Sequence, residues 1–209
     1  MDPSDRRTPL SQVMADIAAD PRPQVTVGEI VQHLGRRAFG AMLFVFSAPN
    51  WLPLPPGSST FLAAPLVVLS PQLLVGVRSP WLPGFIADRP LKRATLARAF
   101  GVLIPWLQRV ERVSRPRLTF LFGPVGDRII GGVCLILSLV LLLPIPLGNM
   151  APAAAIALFG LAMVQRDGLL ALLGFAVTVI SGGLLVLAFG LVTAAIKAFL
   201  VTQGVIPQG

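Results

Sequence analysis

Two short segments of this sequence combine residue types that could meet a ligand: Asn50 with Pro53-Leu-Pro-Pro-Gly57-Ser58-Ser59, and Pro144-Ile-Pro-Leu-Gly148-Asn149. Proline lacks the N–H that a helix needs and clashes with the preceding turn, so neither segment fits inside a continuous helix. Ser58 and Asn149, both strong N-cap types, stand directly after the glycines and mark the start of a new helix. Helix starts carry free N–H groups and partial positive charge, so two of them facing each other could hold a phosphate or a carboxylate. On that reading Pro53, Pro55, Gly57, Pro144, Pro146 and Gly148 hold the backbone open, while Asn50, Ser58, Ser59 and Asn149 cap helices or touch the ligand. The competing reading takes both segments as plain interhelical turns.

Conventional catalytic sets are missing. The nine acidic residues are Asp2, Asp5, Asp16, Asp20, Glu29, Asp88, Glu111, Asp127 and Asp167, and all lie outside the long apolar stretches. No proton-relay carboxylate or fixed cation therefore sits inside a span. There is no Ser/His/Asp set, no HExxH and no Gly-rich phosphate loop. Cys134 stands alone in an apolar run, which excludes an intramolecular disulfide and a multi-cysteine metal site and suits a buried packing role. His33 lies beside arginines and reads as a surface residue. The expectation is a protein that is not an enzyme and uses no cofactor or metal.

The elements that position the breaks follow from composition. Hydrophobic residues make up 55% of the 209-residue chain, the mean hydropathy is +0.80 and only 12% of residues are charged, against roughly 25% in an ordinary soluble domain. Such a chain cannot cover its apolar surface with polar groups, and the pattern implies bilayer spans with polar flanks. The net charge of +8 comes from 17 Lys and Arg, most of them between Arg78 and Arg128 or before residue 38. Because these charges flank the apolar runs, positive-inside bias explains them better than nucleic acid, which is not expected as a partner. The polar N-terminal stretch has no apolar region followed by a cleavage site, so membrane entry is expected to use the first internal span.

Along the chain, Pro21 to Pro23 form a stiff joint and Thr26-Val-Gly-Glu29 has capping-box spacing, predicting a short amphipathic helix with Ile30, Val31 and Leu34 on one face. Residues 38 to 77 carry no charge and are interrupted by Pro49 and the first break. This predicts a hairpin of two arms whose lengths suit either a full crossing or re-entry. Asp88 and Pro90 predict a helix start, followed by apolar positions from Leu91 to Val110 opposite Lys92, Arg93, Arg98, Arg109 and Arg112. That basic amphipathic helix should lie in the interface near anionic lipids, with Trp81 and Trp106 at belt depth. A second charge-free run, 129 to 164, is broken by the second Pro-x-Pro-x-Gly. The third, Leu169 to Ile196, is one long helix or two pieces.

Sliding the sequence against itself by 91 positions aligns Arg37 with Arg128, Gly40 with Gly131, Ser47 with Ser138, and Leu52-Pro53 with Leu143-Pro144. The same register aligns Pro55 with Pro146, Gly57 with Gly148, and Ala63-Ala64 with Ala154-Ala155, without a gap. We read this as an internal duplication. Duplicated broken helices point to a central site in many transporters. Arg36-Arg37, the basic middle and Arg166 all carry the signature of one membrane side, so the copies should be parallel, with inversion the alternative.

Arg36-Arg37-Ala-Phe-Gly40, Ala48-Pro-Asn50, Pro53-Leu-Pro-Pro-Gly-Ser-Ser59, Arg78-Ser-Pro-Trp-Leu-Pro83, Pro144-Ile-Pro-Leu-Gly-Asn149 and Arg166-Asp-Gly168, in this order, resemble the exopolysaccharide synthesis ExoD family of bacterial inner-membrane proteins. The resemblance spans essentially residues 10 to 195. It implies a small multi-pass inner-membrane protein associated with exopolysaccharide production, and it supplies no catalytic residues.

The expected architecture is an all-α polytopic membrane protein with two internal repeats of Pro-broken helical hairpins. An N-terminal cytoplasmic amphipathic segment (1–35) precedes repeat 1 (36–82). The basic interfacial region (83–126), repeat 2 (127–168) and a C-terminal helix (169–200) follow. The expected function is transport or carriage of a small or lipid-linked anionic solute in support of exopolysaccharide production. The alternative is a scaffold for the polysaccharide-synthesis machinery. Expected partners are a bilayer with anionic lipids and polysaccharide-synthesis proteins, and Gly131, Gly132, Gly160, Gly182, Gly183 and Gly190 offer faces for a homodimer.

Overall fold

The computed structural model describes residues 24–51, 58–92, 121–143 and 148–202, with isolated positions at 12, 101, 105 and 108. These residues are almost entirely helical. In chain order they form β1 (Gln24–Thr26), α1 (Val27–Leu34), α2 (Arg36–Ser47), a 3-10 turn (Ala48–Trp51), α3 (Ser58–Val75), α4 (Gly84–Ala87), β2 (Pro90–Lys92), α5 (Pro124–Leu142), α6 (Met150–Gln165) and α7 (Gly168–Thr202).

Local signals set several of these boundaries. Thr26 caps α1 through a full capping box: its hydroxyl accepts from the Glu29 N–H at 3.2 Å, and the Glu29 carboxylate accepts from the Thr26 N–H at 3.1 Å. Two otherwise unpaired donors are satisfied in this way, as the sequence predicts. His33 is exposed, its Nδ1 lying 3.0 Å from the Glu29 carbonyl, in keeping with a surface role. The third apolar stretch is a single helix, α7, that runs unbroken through Ser181-Gly182-Gly183. Pro65 and Pro71 lie inside α3 and each removes one helical N–H.

One expectation is corrected. Pro90 does not begin a helix; Pro90–Lys92 is a strand, antiparallel to β1 with Val25 opposite Leu91, and the Val27 N–H donates to the Arg89 carbonyl at 3.3 Å. Three residues are too few for periodicity to separate strand from helix, and proline is tolerated as the first residue of an edge strand. The rest of the basic amphipathic stretch, including Trp106, falls outside the described residues apart from isolated positions.

Four helices interlock around one apolar core. The most extensive contacts are α3 with α5, α2 with α6, and α6 with α7; the two arms of each hairpin touch one another less. Phe39, Leu43, Leu66, Leu73, Ile130, Leu141, Ile156 and Phe159 are fully buried, and Cys134 lies among them. Glycine sets the helix separations. A Cβ on Gly40 would stand 2.6 Å from the Gly160 carbonyl, one on Gly160 would stand 2.6 Å from the Gly40 carbonyl, and one on Gly131 would stand 2.5 Å from the Leu74 nitrogen. Backbones this close allow many dispersion contacts over a short crossing. Ser47, Ser70 and Ser138 face the interior, and each donates its hydroxyl to a carbonyl of its own helix, at 2.6, 2.7 and 2.9 Å.

Helix directions follow from the end contacts. Gly76, just past α3, abuts the Arg128 guanidinium near the start of α5, while Thr60 at the start of α3 donates to the Leu142 carbonyl at the end of α5. Gly40 near the start of α2 meets Gly160 and Val164 in the second half of α6. Both pairs are therefore antiparallel. Arg36 at the start of α2 binds Asp127 in the first turn of α5, so those two helices begin at one end. All four helices thus share a charged end, with Arg36, Arg37, Asp127, Arg128 and Arg166, and an opposite end where α2 and α5 stop and α3 and α6 start.

Among the described residues, two helices are long and apolar enough to cross a membrane, Pro124–Leu142 and Gly168–Leu191, and Ser59–Val75 and Met150–Gln165 are shorter apolar helices. Nineteen residues of α5 rise about 28 Å, close to the roughly 30 Å of a hydrocarbon core. The outer surface is apolar: Phe61, Val68, Ile136, Leu139, Val179, Ile180 and Leu187 are all exposed.

The glycine contacts carry a direct prediction. Gly40→Ala or Gly131→Ala should destabilise the detergent-solubilised protein by about 1–3 kcal/mol through overpacking. Gly182→Ala, whose added Cβ meets nothing within 4 Å, should be neutral or stabilise by up to about 1 kcal/mol through helix propensity. Thermal unfolding of the three variants side by side checks this ordering.

Candidate functional sites

The break end gathers some of the residues singled out by the sequence. Pro53, Pro55, Gly57, Pro144 and Pro146 lie outside the described residues. Asn50 ends up buried in the 3-10 turn after α2, Ser58 opens α3, Gly148 sits in the turn before α6, and Asn149 is buried at its start. Asn149 Nδ2 lies 3.3 Å from Ser59 Oγ, so the starts of α3 and α6 are held within one hydrogen bond of each other. The two starts are therefore adjacent in the structure, and because α3 and α6 run in the same direction they lie side by side rather than facing each other.

The chemistry of Asn149 differs from the expectation. It stands at the N-cap position of α6 in right-handed helical conformation, and its side chain makes no capping bond. Its amide instead donates to the carbonyls of Leu141 and Leu143, at 3.4 and 3.1 Å, closing the C-terminal end of α5. Those carbonyls have no partner within their own helix, and a buried carbonyl without a donor is costly, which explains why the side chain turns backward. Asn50 likewise donates to the Phe46 carbonyl at 3.3 Å. Each asparagine then keeps a buried side-chain oxygen, Oδ1, with no hydrogen-bond partner. These oxygens are acceptors. They suit a donor such as a hydroxyl group or water, whereas only the backbone N–H groups of the helix starts suit an anion.

The charged end holds a recess that sequence reasoning did not single out. Arg36, Arg37, Phe122, Asp127, Met163 and Arg166 line it. Arg36 Nη1 donates to Asp127 Oδ2 at 2.6 Å, the Arg36 side chain being 32% exposed and that of Asp127 8%. Arg166 ends α6 with φ 52° and ψ 38°, the only non-glycine residue with positive φ among the described residues. At the matching end of α3 the left-handed position is taken by Gly76, φ 88°. Asp167, buried, accepts the Leu169 N–H on Oδ1 at 3.0 Å and so caps α7. The sequence shows each of these arginines as a flanking charge, and only the antiparallel packing of α2 on α6 brings residues 36 and 166 together.

Comparison with known proteins gives a consistent result. The family described as "Exopolysaccharide synthesis, ExoD" matches residues 10–189. "Protein ExoD" of Rhizobium meliloti is 30% identical over 177 residues, covering 82% of this chain and 73% of that protein. An "Uncharacterized protein" of Synechocystis is 28% identical over 181 residues, covering 85% of each chain. No solved structure matches.

The Arg36–Asp127 pair predicts its own double-mutant cycle. Asp127→Asn should cost about 1 kcal/mol, modest because Arg36 remains partly solvated. Exchanging the charges, Arg36→Asp with Asp127→Arg, should recover most of that loss, as measured by thermal unfolding of the single and double variants.

Proposed function

Because this chain belongs to the exopolysaccharide synthesis ExoD family, we propose that it is a non-catalytic, multi-pass protein of the bacterial inner membrane that supports exopolysaccharide production by carrying a small or lipid-linked anionic solute. The apolar outer surface would face lipid, and α2, α3, α5 and α6 would form two parallel copies of one hairpin. The charged end, with its arginines, would be cytoplasmic. The second break would then lie toward the opposite face of the bilayer rather than at its midplane, since the 19 residues of α5 rise nearly a full hydrocarbon thickness before it, whereas the 12 residues of α2 rise about 18 Å before the first.

One observation carries the ligand part of this reading: the starts of α3 and α6 are joined through Asn149 and Ser59, with unpartnered acceptor oxygens buried on Asn50 and Asn149. Helix-start N–H groups would take the anionic group and the asparagine oxygens would take hydroxyls of an attached sugar. A scaffold is the second reading, favoured by the interior, where large apolar side chains from all four helices are fully buried. In that case the carrier chemistry drops out, and the exposed face of α7 or the glycines Gly182, Gly183 and Gly190 would meet a second copy or a synthesis protein.

Substitution at the breaks separates the two. In a strain lacking the gene, the wild-type chain should restore polymer yield. Gly57→Leu combined with Gly148→Leu should insert normally yet leave yield near that of the deletion, and should abolish solute flux in proteoliposomes. Full polymer yield from the double variant would reduce the breaks to connectors and leave the scaffold reading standing.

A further inference from the structure

Gln72 stands in an unusual place for a polar side chain. It shares one face of α3 with Val68 and Val75, and both valines are exposed. On a stripe that faces lipid, an amide is costly unless its donors and its acceptor find partners within the protein. Both ends of the Gln72 amide find them in main chain. Nε2 donates to the Val68 carbonyl at 3.0 Å and to the Trp81 carbonyl at 3.4 Å, while Oε1 accepts the Trp81 N–H at 2.6 Å. The side chain pairs with Trp81 as a neighbouring strand would, and the chain after Gly76 is folded back along the last turn of α3.

The far end of the same segment is fixed as well. The Ala87 carbonyl lies against Gly28 of α1, where an added Cβ would stand 3.3 Å from it. The Val27 N–H then holds the Arg89 carbonyl, and β2 pairs with β1. Between these two attachments the chain presents large apolar side chains outward: Trp81 is 64% exposed, Phe85 73%, and Ile86 is exposed beside them. Arg78 and Arg89, also exposed, stand at either end of the segment.

We propose that residues 77–87 form a membrane-interface anchor. Trp81, Phe85 and Ile86 sit among phospholipid head groups at the charged end of the helices, Arg78 and Arg89 reach lipid phosphates, and Gln72 is the positioning residue that holds Trp81 at that depth. The patch is continuous with the exposed Val68 and Val75 of α3 and lies where the apolar helices give way to charged residues, which favours lipid over a protein as its occupant. Tryptophan suits that boundary because it joins an apolar ring to a polar N–H, and the guanidinium fork matches phosphate oxygens. The inference rests on the reading that α3 and its neighbours cross a bilayer. It does not depend on what the breaks bind.

The test places the full chain, with Trp51→Phe and Trp106→Phe, in phosphatidylcholine bicelles whose acyl chains carry bromine at a shallow or a deep position. Bromine quenches tryptophan on contact, so the fluorescence of Trp81 should fall most with shallow bromine and respond weakly to iodide in the buffer. Gln72→Leu keeps the size of the side chain and removes its hydrogen bonds. It should raise iodide quenching of Trp81 severalfold and weaken quenching by bromine. Ile136→Trp, in a chain whose own three tryptophans are replaced by phenylalanine, serves as the reference for the spans, because Ile136 is exposed on α5 away from both helix ends. Should it respond to deep bromine while Trp81 is open to iodide and insensitive to bromine, as a face reserved for a protein would be, the anchor is wrong and the spans stand. Should neither position respond to bromine, the membrane reading falls and the anchor with it. Quenching of Trp81 that is unchanged in Gln72→Leu also overturns the proposal.

Discussion

Backbone contact at two glycine crossings governs the arrangement of everything else. Where α2 meets α6, Gly40 and Gly160 leave no room for a Cβ on either helix, and where α3 meets α5, Gly131 lies against the main chain of Leu73 and Leu74. Each crossing joins the first arm of one hairpin to the second arm of the other, so the hairpins interlock rather than stand side by side. Once those antiparallel pairs are fixed, α2 and α5 must begin together, which brings Arg36 to Asp127. The starts of α3 and α6 are brought together at the far end, within reach of the Asn149 side chain.

A consequence is that the two ends are chemically opposite. One is rich in guanidinium groups and closed by a left-handed arginine. The other, among the described residues, has the end of α5 capped by Asn149 and asparagine oxygens without partners. Between them lies an apolar interior in which Ser47, Ser70 and Ser138 bond to their own helices rather than across to a neighbour. Such an interior holds the helices in one register, and it leaves polar recognition to the ends.

Much of this order was legible in local sequence signals. The capping box at Thr26 and Glu29 and the burial of Cys134 rest on short-range rules or on simple polarity. What could not be read came from long-range pairing. Pro90 looks like a helix start until β1 supplies a partner strand, and Asn149 looks like a cap for α6 until the end of α5 places unsatisfied carbonyls behind it. The arginine recess was hidden for the same reason. Arg36 and Arg166 belong to different hairpins, and nothing local to either sequence segment distinguishes a charge that lines a recess from one that only marks a boundary.

The proposed reading requires α2, α3, α5 and α6 to cross the bilayer with their charged ends on one side. Single cysteines introduced on a Cys134→Ser background measure this directly, using a membrane-impermeant thiol reagent on intact and permeabilised cells. Gln32, Val125 and Leu169, all exposed near the charged end, should label only after permeabilisation, whereas Leu143 and Met150 at the break end should label in intact cells. Labelling of Gln32 and Val125 from opposite faces would contradict the account, because α2 and α5 could not then begin together.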